Sequence, residues 1–365
     1  MMMTQRNPFT PAFGMEPLFL AGREQIIDEF VNGLEAGFGD PNHCTIIIGP
    51  RGSGKTVLLS KIAAEAGKCG WVSANVTAIQ GMLNDIVEQS VLNGSEFLPP
   101  KSKQRLTGLS AFGVSISTAT VEQPALSWRA KMTEILRVLN DQNIGLLITV
   151  DEVDASFDEM VTLVSCYQHF IRENRSVALL MAGLPGKVLQ MFSDKTISFV
   201  RRAFQQRLDK VPTEDVKTSM RRTIEASGRT IATAALDKAA SLTEGFPFLI
   251  QLVGYHIWKQ SPFSKEITAL DVEAGINSSI EAMDQMILET TVLELSELDV
   301  AFLKAMALDT GASRISEIVR RLGTSSAKAG QYRLRLIKQG VIEPYGRGKI
   351  QFALPLLRDY LRRHP

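Results

Sequence analysis

Apolar residues follow two rhythms along this chain, and the point where one gives way to the other divides it. In the first two hundred residues, short aliphatic runs alternate with stretches of helical period. Ile26, Ile27, Phe30, Val31 and Leu34 recur at helical spacing behind Gly22-Arg23-Glu24 and predict a first helix. Thr45-Ile46-Ile47-Ile48 is a short β-branched run of the kind found in strands buried on both faces. A helix over 55–66, a strand over 71–76 and a helix over 82–91 follow. A further helix carries Leu126, Met132, Ile135, Leu136 and Leu139 on one face, ahead of strands at 146–150 and 177–181. Such alternation predicts an α/β fold with a parallel sheet covered on both faces. Residues 103–121, punctuated by Gly108 and Gly113, interrupt it and read as an inserted β-hairpin.

Beyond about residue 212 the strand signal stops. Helical periods at 216–226, 231–242, 248–259 and 270–288 predict a helical lid over 212–291. The helices 298–308, 315–322 and 326–339, then a hairpin around Tyr345-Gly346-Arg347-Gly348-Lys349, have the order of a winged helix-turn-helix over 292–365. The core domain then spans 21–211. Residues 1–20, with Pro8, Pro11, Gly14 and Pro17, read as an extended arm.

Composition changes this picture in one respect. The chain has 365 residues, 45% hydrophobic and 22% charged, which are ordinary globular values. The net charge of +1 conceals an asymmetry: from Gly311 onward twelve Lys or Arg stand against three Asp or Glu, a local charge of about +9. A basic end on an acidic body suits a polyanionic partner. Cys44, Cys69 and Cys166 have no metal-ligand spacing, so reduced thiols are expected. The longest apolar stretches, Ile144–Val150 and Phe246–Trp258, are too short to span a membrane, and Met1-Met2-Met3-Thr4-Gln5 has no signal-peptide core. A cytoplasmic protein is expected.

The chemistry centres on Gly49-Pro50-Arg51-Gly52-Ser53-Gly54-Lys55-Thr56, between a β-branched run and a helix. Glycines there let backbone N–H groups turn around phosphates at a helix N-terminus, where the dipole favours anions. Lys55 brings a compact cation to the β- and γ-phosphates, and Thr56 offers a hydroxyl to Mg²⁺. Asp151 ends the run Leu146–Val150 at the carboxyl edge of the sheet and is the expected metal ligand. Glu152 follows it and is placed to polarise a water for attack on the γ-phosphate. Asp154 reads as a helix cap.

Gly22-Arg23-Glu24, the phosphate loop, Asp151-Glu152-Val153-Asp154 and Gly245-Phe246-Pro247 together resemble AAA+ ATPases. Within these, the chain most resembles the branch that holds origin-recognition ATPases, archaeal-type ATPases and STAND signalling NTPases. The resemblance implies an ASCE-type sheet of order 5-1-4-3-2, with ATP or ADP and Mg²⁺ as ligands. It also implies Gly22 and Arg23 on the adenine side of the site, Pro247 capping the base from the lid, and assembly with further copies of the chain. Two features depart from the pattern. Strand 178–181 runs into Ala182-Gly183-Leu184-Pro185 without the usual polar sensor, which implies slow turnover. Arg201 and Arg202 are candidates for an arginine finger, with Arg207 close behind; a solvated basic helix end fits them equally well.

On helix 326–339, Lys328, Gln331, Tyr332 and Arg335 fall on one face, opposite Ala327, Gly330, Leu334 and Ile337 as the expected packing face. With Arg347 and Lys349 at the hairpin tip, this points to double-stranded DNA as partner. The alternative is a STAND-like signalling ATPase whose winged helix meets protein or nucleotide instead.

Overall fold

The computed structural model describes residues 6–12, 14–107, 126–154, 158–193 and 198–364. In chain order its first elements are α1 (Glu24–Ala36), β1 (Cys44–Ile48), α2 (Lys55–Lys68), β2 (Trp71–Thr77), α3 (Met82–Asn93) and α4 (Pro100–Thr107). Then come α5 (Trp128–Asn140), β3 (Gly145–Asp151), α6 (Asp158–Arg172), β4 (Val177–Gly183), α7 (Pro185–Ser193) and β5 (Phe204–Arg207). The five strands form one sheet in the order β2-β3-β4-β1-β5, every neighbouring pair parallel, which is the expected order 5-1-4-3-2. Alternate residues of the inner strands feed two cores, one on each face. Ile46, Ile148 and Leu179 pack with residues of α3, α5 and α6. Ile47, Leu147, Ala178 and Leu180 pack with Ile27 and Phe30 of α1 and Leu58 and Ile62 of α2. This two-sided burial explains the unbroken apolar runs of β3 and β4.

The rest is helical with small sheets. It comprises α8 (Thr213–Ala226), β6 (Thr230–Ile231), α9 (Thr233–Leu242), α10 (Pro247–Gln260), β7 (Glu266–Ile267) and α11 (Ala269–Met283). A π-type turn at Asp284–Leu288 carries α11 into α12 (Glu289–Leu293). Next are α13 (Glu297–Ala307), β8 (Ser313–Arg314), α14 (Ile315–Leu322), α15 (Ser326–Lys338), β9 (Ile342–Pro344), β10 (Lys349–Phe352) and α16 (Leu357–Arg363). The expected hairpin is present as β9 and β10, and β8 joins it as a third antiparallel strand.

Helix α10 is apolar on all sides because it lies between two cores. Leu249 and Leu252, with Phe246 just before the helix, join Phe302, Met306, Leu336 and Leu357 in the C-terminal cluster. Ile250, Val253, Ile257 and Trp258 face the other way, into a cluster with residues of α8, α9 and α11. The long apolar stretch of the sequence is therefore a doubly packed helix. No helix among the described residues is long and apolar enough to cross a membrane.

Two readings of the sequence need amendment. Residues 103–107 belong to α4, where Leu106 is fully buried, and the remainder of the expected 103–121 hairpin lies outside the described residues. On α15 the buried positions are Ala329 and Leu336, with Tyr332 half-buried against Phe302, while Ala327 and Leu334 are exposed. Ala327 and Gly330 offer little apolar area, so the helix turns the larger Tyr332 and Leu336 inward instead. The first described residues form no helix or strand, as expected of an extended arm, and they are anchored on α10. Phe9 is buried against α10, where Gly254 leaves room for its ring; a Cβ at that position would stand 2.2 Å from it. Asn7 Nδ2 donates to the Tyr255 carbonyl (3.0 Å), and the Thr10 N–H donates to Gln251 Oε1 (3.1 Å).

Phe9→Ala should therefore lower stability by about 3 kcal/mol, the usual loss for emptying a buried aromatic site. Thermal unfolding checks this, and an unchanged melting temperature would mean that the segment is not seated on α10.

Candidate nucleotide site

Strand β1 leaves the sheet at Ile48, and six residues later the chain is turning into α2. Gly52 (φ 76°) and Gly54 (φ 84°) hold left-handed conformations in that loop, which a residue with a Cβ adopts only at a cost. Gly54 is the residue before α2, so the loop ends on the first turn of a 14-residue helix, whose exposed N–H groups and dipole favour an anion. The Lys55 ammonium lies over the loop, donating to the carbonyls of Gly49 (3.0 Å) and Pro50 (2.9 Å). Burial lowers the Lys55 pKa, and the charges of Asp151 and Glu152 oppose that shift. The two carboxylates thus offset part of the cost of burying the ammonium. Ser53 is buried and its hydroxyl donates to Pro50 O (2.8 Å), which ties the loop together, while Arg51 is exposed.

Strands β1 and β3 are separated by β4, yet their carboxyl ends converge. Thr56 Oγ1 donates to Asp151 Oδ2, and Asp151 Oδ1 accepts from the Glu152 N–H (2.8 Å). Glu152 itself is exposed and holds a left-handed backbone (φ 54°), an uncommon conformation for a residue with a Cβ and one that gathers at functional sites. The hydroxyl of Thr56 and the carboxylate of Asp151 are hard oxygen donors. They suit Mg²⁺, which takes one or two carboxylates and keeps waters and phosphate oxygens in its other positions. A closed metal cage is a different matter, and the described residues contain no cluster of three His, Cys, Asp or Glu side chains able to form one.

One other segment borders the loop, and a second meets the chain that leads into α8. The Phe248 N–H, in the first turn of α10, donates to Gly52 O (3.3 Å), and Pro247 lies against Gly54. Gly22 packs against Asp215 and Val211, and buried Arg23 donates through Nη2 to Asp209 O (2.6 Å). Both residues thus meet the segment leading into α8. Arg201 and Arg202 stand apart, exposed in a 3₁₀ turn before β5, with Arg201 Nε donating to Phe192 O. Neither bonds to Lys55, Asp151 or Glu152 among the described residues. Sequence reasoning passed over Phe248, whose contribution is a backbone N–H that carries no sequence signal. It also passed over Lys187, which forms an ion pair with Asp154.

The basic C-terminal segment looks different once its partners are seen. Arg321 donates to Ala305 O and pairs with Asp309; Arg358 donates to the carbonyls of Thr310 and Gly311; Arg362 donates to those of Ala307 and Asp309. These three guanidinium groups close off the C-terminal end of α13, where the helix dipole favours cations. Arg335 forks onto Asp299 (2.8 and 2.6 Å), whose carboxylate is 1% exposed as a residue and also holds Ser296 at the start of α13. Lys328, Gln331 and Arg347 remain exposed, Lys349 is partly buried, and none of the three lysine or arginine residues among them has an ion-pair partner among the described residues.

A family model described as a domain of unknown function (DUF8462) matches residues 285–361. No curated protein matches the sequence. Among solved structures, the Walker-type ATPase PABY2304 of Pyrococcus abyssi superposes with a TM-score of 0.67 at 15% identity, covering 94% of this chain and 96% of that one. The ORC2 protein of Aeropyrum pernix, described in ADPNP and ADP complexes, gives 0.63 at 14% identity, over 97% and 96%. CDC6p from Pyrobaculum aerophilum gives 0.50 at 16% identity, again over 97% and 96%. Over nearly its whole length, the chain has the fold of these three proteins.

Proposed function

We propose that this protein is an ATP-binding and ATP-hydrolysing switch that associates with DNA through its C-terminal winged helix. The observation that carries the nucleotide half is the convergence of Lys55, Thr56, Asp151 and Glu152 at one edge of the sheet, beside a glycine-rich loop and a helix N-terminus. Backbone groups of 49–54 and the Lys55 ammonium bind the phosphates. Mg²⁺ held by Thr56 and Asp151 would neutralise charge on the β- and γ-phosphates when bound. Glu152 orients a water for in-line attack and accepts its proton. ATP is preferred to GTP, since the sequence holds no Asn/Thr-Lys-x-Asp guanine-reading motif. With β4 ending in Ala182-Gly183, turnover is slow unless Arg201 or Arg202 of a second copy completes the site. A cytoplasmic location accords with the free cysteines.

DNA contact rests on Lys328 and Gln331 at the exposed N-terminal half of α15 and on Arg347 and Lys349 at the wing. A second reading has a specific observation in its favour. The C-terminal end of α15 packs on the core, where Gly186 of α7 lies against the backbone of Ile337 and Lys338. Much of the local basic charge is also spent inside the unit. Both suit a STAND-like signalling ATPase whose winged helix contacts its own core or a protein.

Lys55→Ala should weaken ATP binding about ten- to a hundredfold by removing charge-assisted hydrogen bonds to phosphate. Glu152→Gln should bind ATP as the wild type does but hydrolyse it on the order of a hundredfold more slowly. Nucleotide titration and single-turnover hydrolysis, with thermal melting to verify folding, check both; wild-type behaviour in either folded variant contradicts its assigned role.

For DNA, each phosphate contact should add about −0.9 to the slope of log affinity against log salt. Arg347→Ala should reduce that slope by about one unit and weaken all duplexes alike, whereas Gln331→Ala should narrow the gap between preferred and random sequence. Arg335→Ala should instead lower the melting temperature, because its partner Asp299 is buried. Duplex binding that is absent, or identical across these variants, would put the signalling reading first.

A further inference from the structure

The end of β4 is wedged between the two halves of the phosphate site. The Gly49 N–H donates to Gly183 O (3.3 Å), and the Val153 N–H donates to Ala182 O (2.9 Å). A Cβ at Gly183 would stand 2.6 Å from Val153, so the strand end offers the site backbone only. No polar side chain emerges there to respond to a terminal phosphate. Two residues further on α7 begins, and Lys187 in its first turns forms an ion pair with Asp154, three residues beyond Asp151. The pair is partly shielded, with the lysine and aspartate side chains 31% and 15% exposed. An ammonium has three donors and no acceptor, and a phosphate oxygen competes with a carboxylate for them on equal chemical terms.

We propose that Lys187 is the γ-phosphate-sensing residue of this protein, held by Asp154 beside ADP and drawn to the terminal phosphate of ATP. This rests on the nucleotide reading above. It places the sensing cation on a helix rather than at a strand end, and on the helix whose Gly186 lies against α15. A change of partner at Lys187 is thereby delivered one residue away from the contact with the C-terminal unit. The contrasting arrangement is a plain structural tie between the segment after β3 and α7, indifferent to the number of phosphates.

The two arrangements differ in the ratio of affinities for ATPγS and ADP, measured by titration calorimetry with Mg²⁺ on the full chain. Lys187→Met should leave ADP affinity unchanged and weaken ATPγS about tenfold or more, the loss of one charge-assisted contact. Lys187→Arg should restore most of that ratio. Asp154→Asn should move the ratio the other way, toward ATPγS, because the competitor for the ammonium is gone. If Lys187→Met unfolds, Lys187→Arg and Asp154→Asn still decide, since a structural tie gives Asp154→Asn no preference for the triphosphate. Equal changes for both nucleotides, or shifts of the same sign in Lys187→Met and Asp154→Asn, overturn the proposal while leaving the nucleotide site standing. Wild-type protein that binds neither nucleotide overturns the nucleotide reading itself.

Discussion

The seating of α10 on the phosphate loop constrains everything around it. Its first turn donates the Phe248 N–H to Gly52 O, and Pro247 lies against Gly54, so the helix begins on the glycine-rich loop itself. From there it runs between two cores, with Leu249 and Leu252 in one and Val253, Ile257 and Trp258 in the other. Close-packed interiors transmit displacement rather than absorb it. The loop abuts a rod to which the helices 213–283 and the C-terminal helices are both fastened. The buried ring of Phe9 fastens the N-terminal segment to the same rod, next to Gly254.

The charge of the C-terminal segment carries a second lesson. A local charge of about +9 reads as a polyanion site when summed, yet Arg321, Arg335, Arg358 and Arg362 are committed to carbonyls or carboxylates within the unit. What is left exposed is narrower: the start of α15 and the tip of the β9–β10 hairpin. The Arg335 pairing with buried Asp299 is a forked, charge-assisted contact, a stronger and more directional tie than the exposed Arg320–Glu317 pair nearby. Net charge sums side chains without regard to what each one touches, and here the difference is large.

Legibility in the sequence followed burial and local chemistry. β1, β3 and β4 were readable because strands covered on both faces must be apolar throughout. β5 was not: Phe204-Gln205-Gln206-Arg207 is an edge strand, largely exposed, and its sequence has no apolar run to give it away. The meeting of residues 49–56 with Asp151 and Glu152 at one sheet edge was legible because each segment directly follows a readable buried strand. The phase of α15 was not, since Leu334 and Leu336 lie on different faces and the contacts of Tyr332 with Phe302 and of Arg335 with Asp299 lie outside the helix's own sequence. Contacts made by backbone, such as Phe248 to Gly52, or by space, such as Gly254 to Phe9, depend on tertiary placement and leave no local pattern.

The proposed switch requires that occupation of the loop be felt by the C-terminal helices, and α10 touches both. Hydrogen–deuterium exchange of the full chain, with and without saturating ATP and Mg²⁺, addresses it directly. The account predicts altered exchange at 49–56, along 246–258 and in the C-terminal helices 297–338, all at the same nucleotide concentration. Protection confined to 49–56 and 151–154, with α10 and the C-terminal helices unchanged, would contradict it.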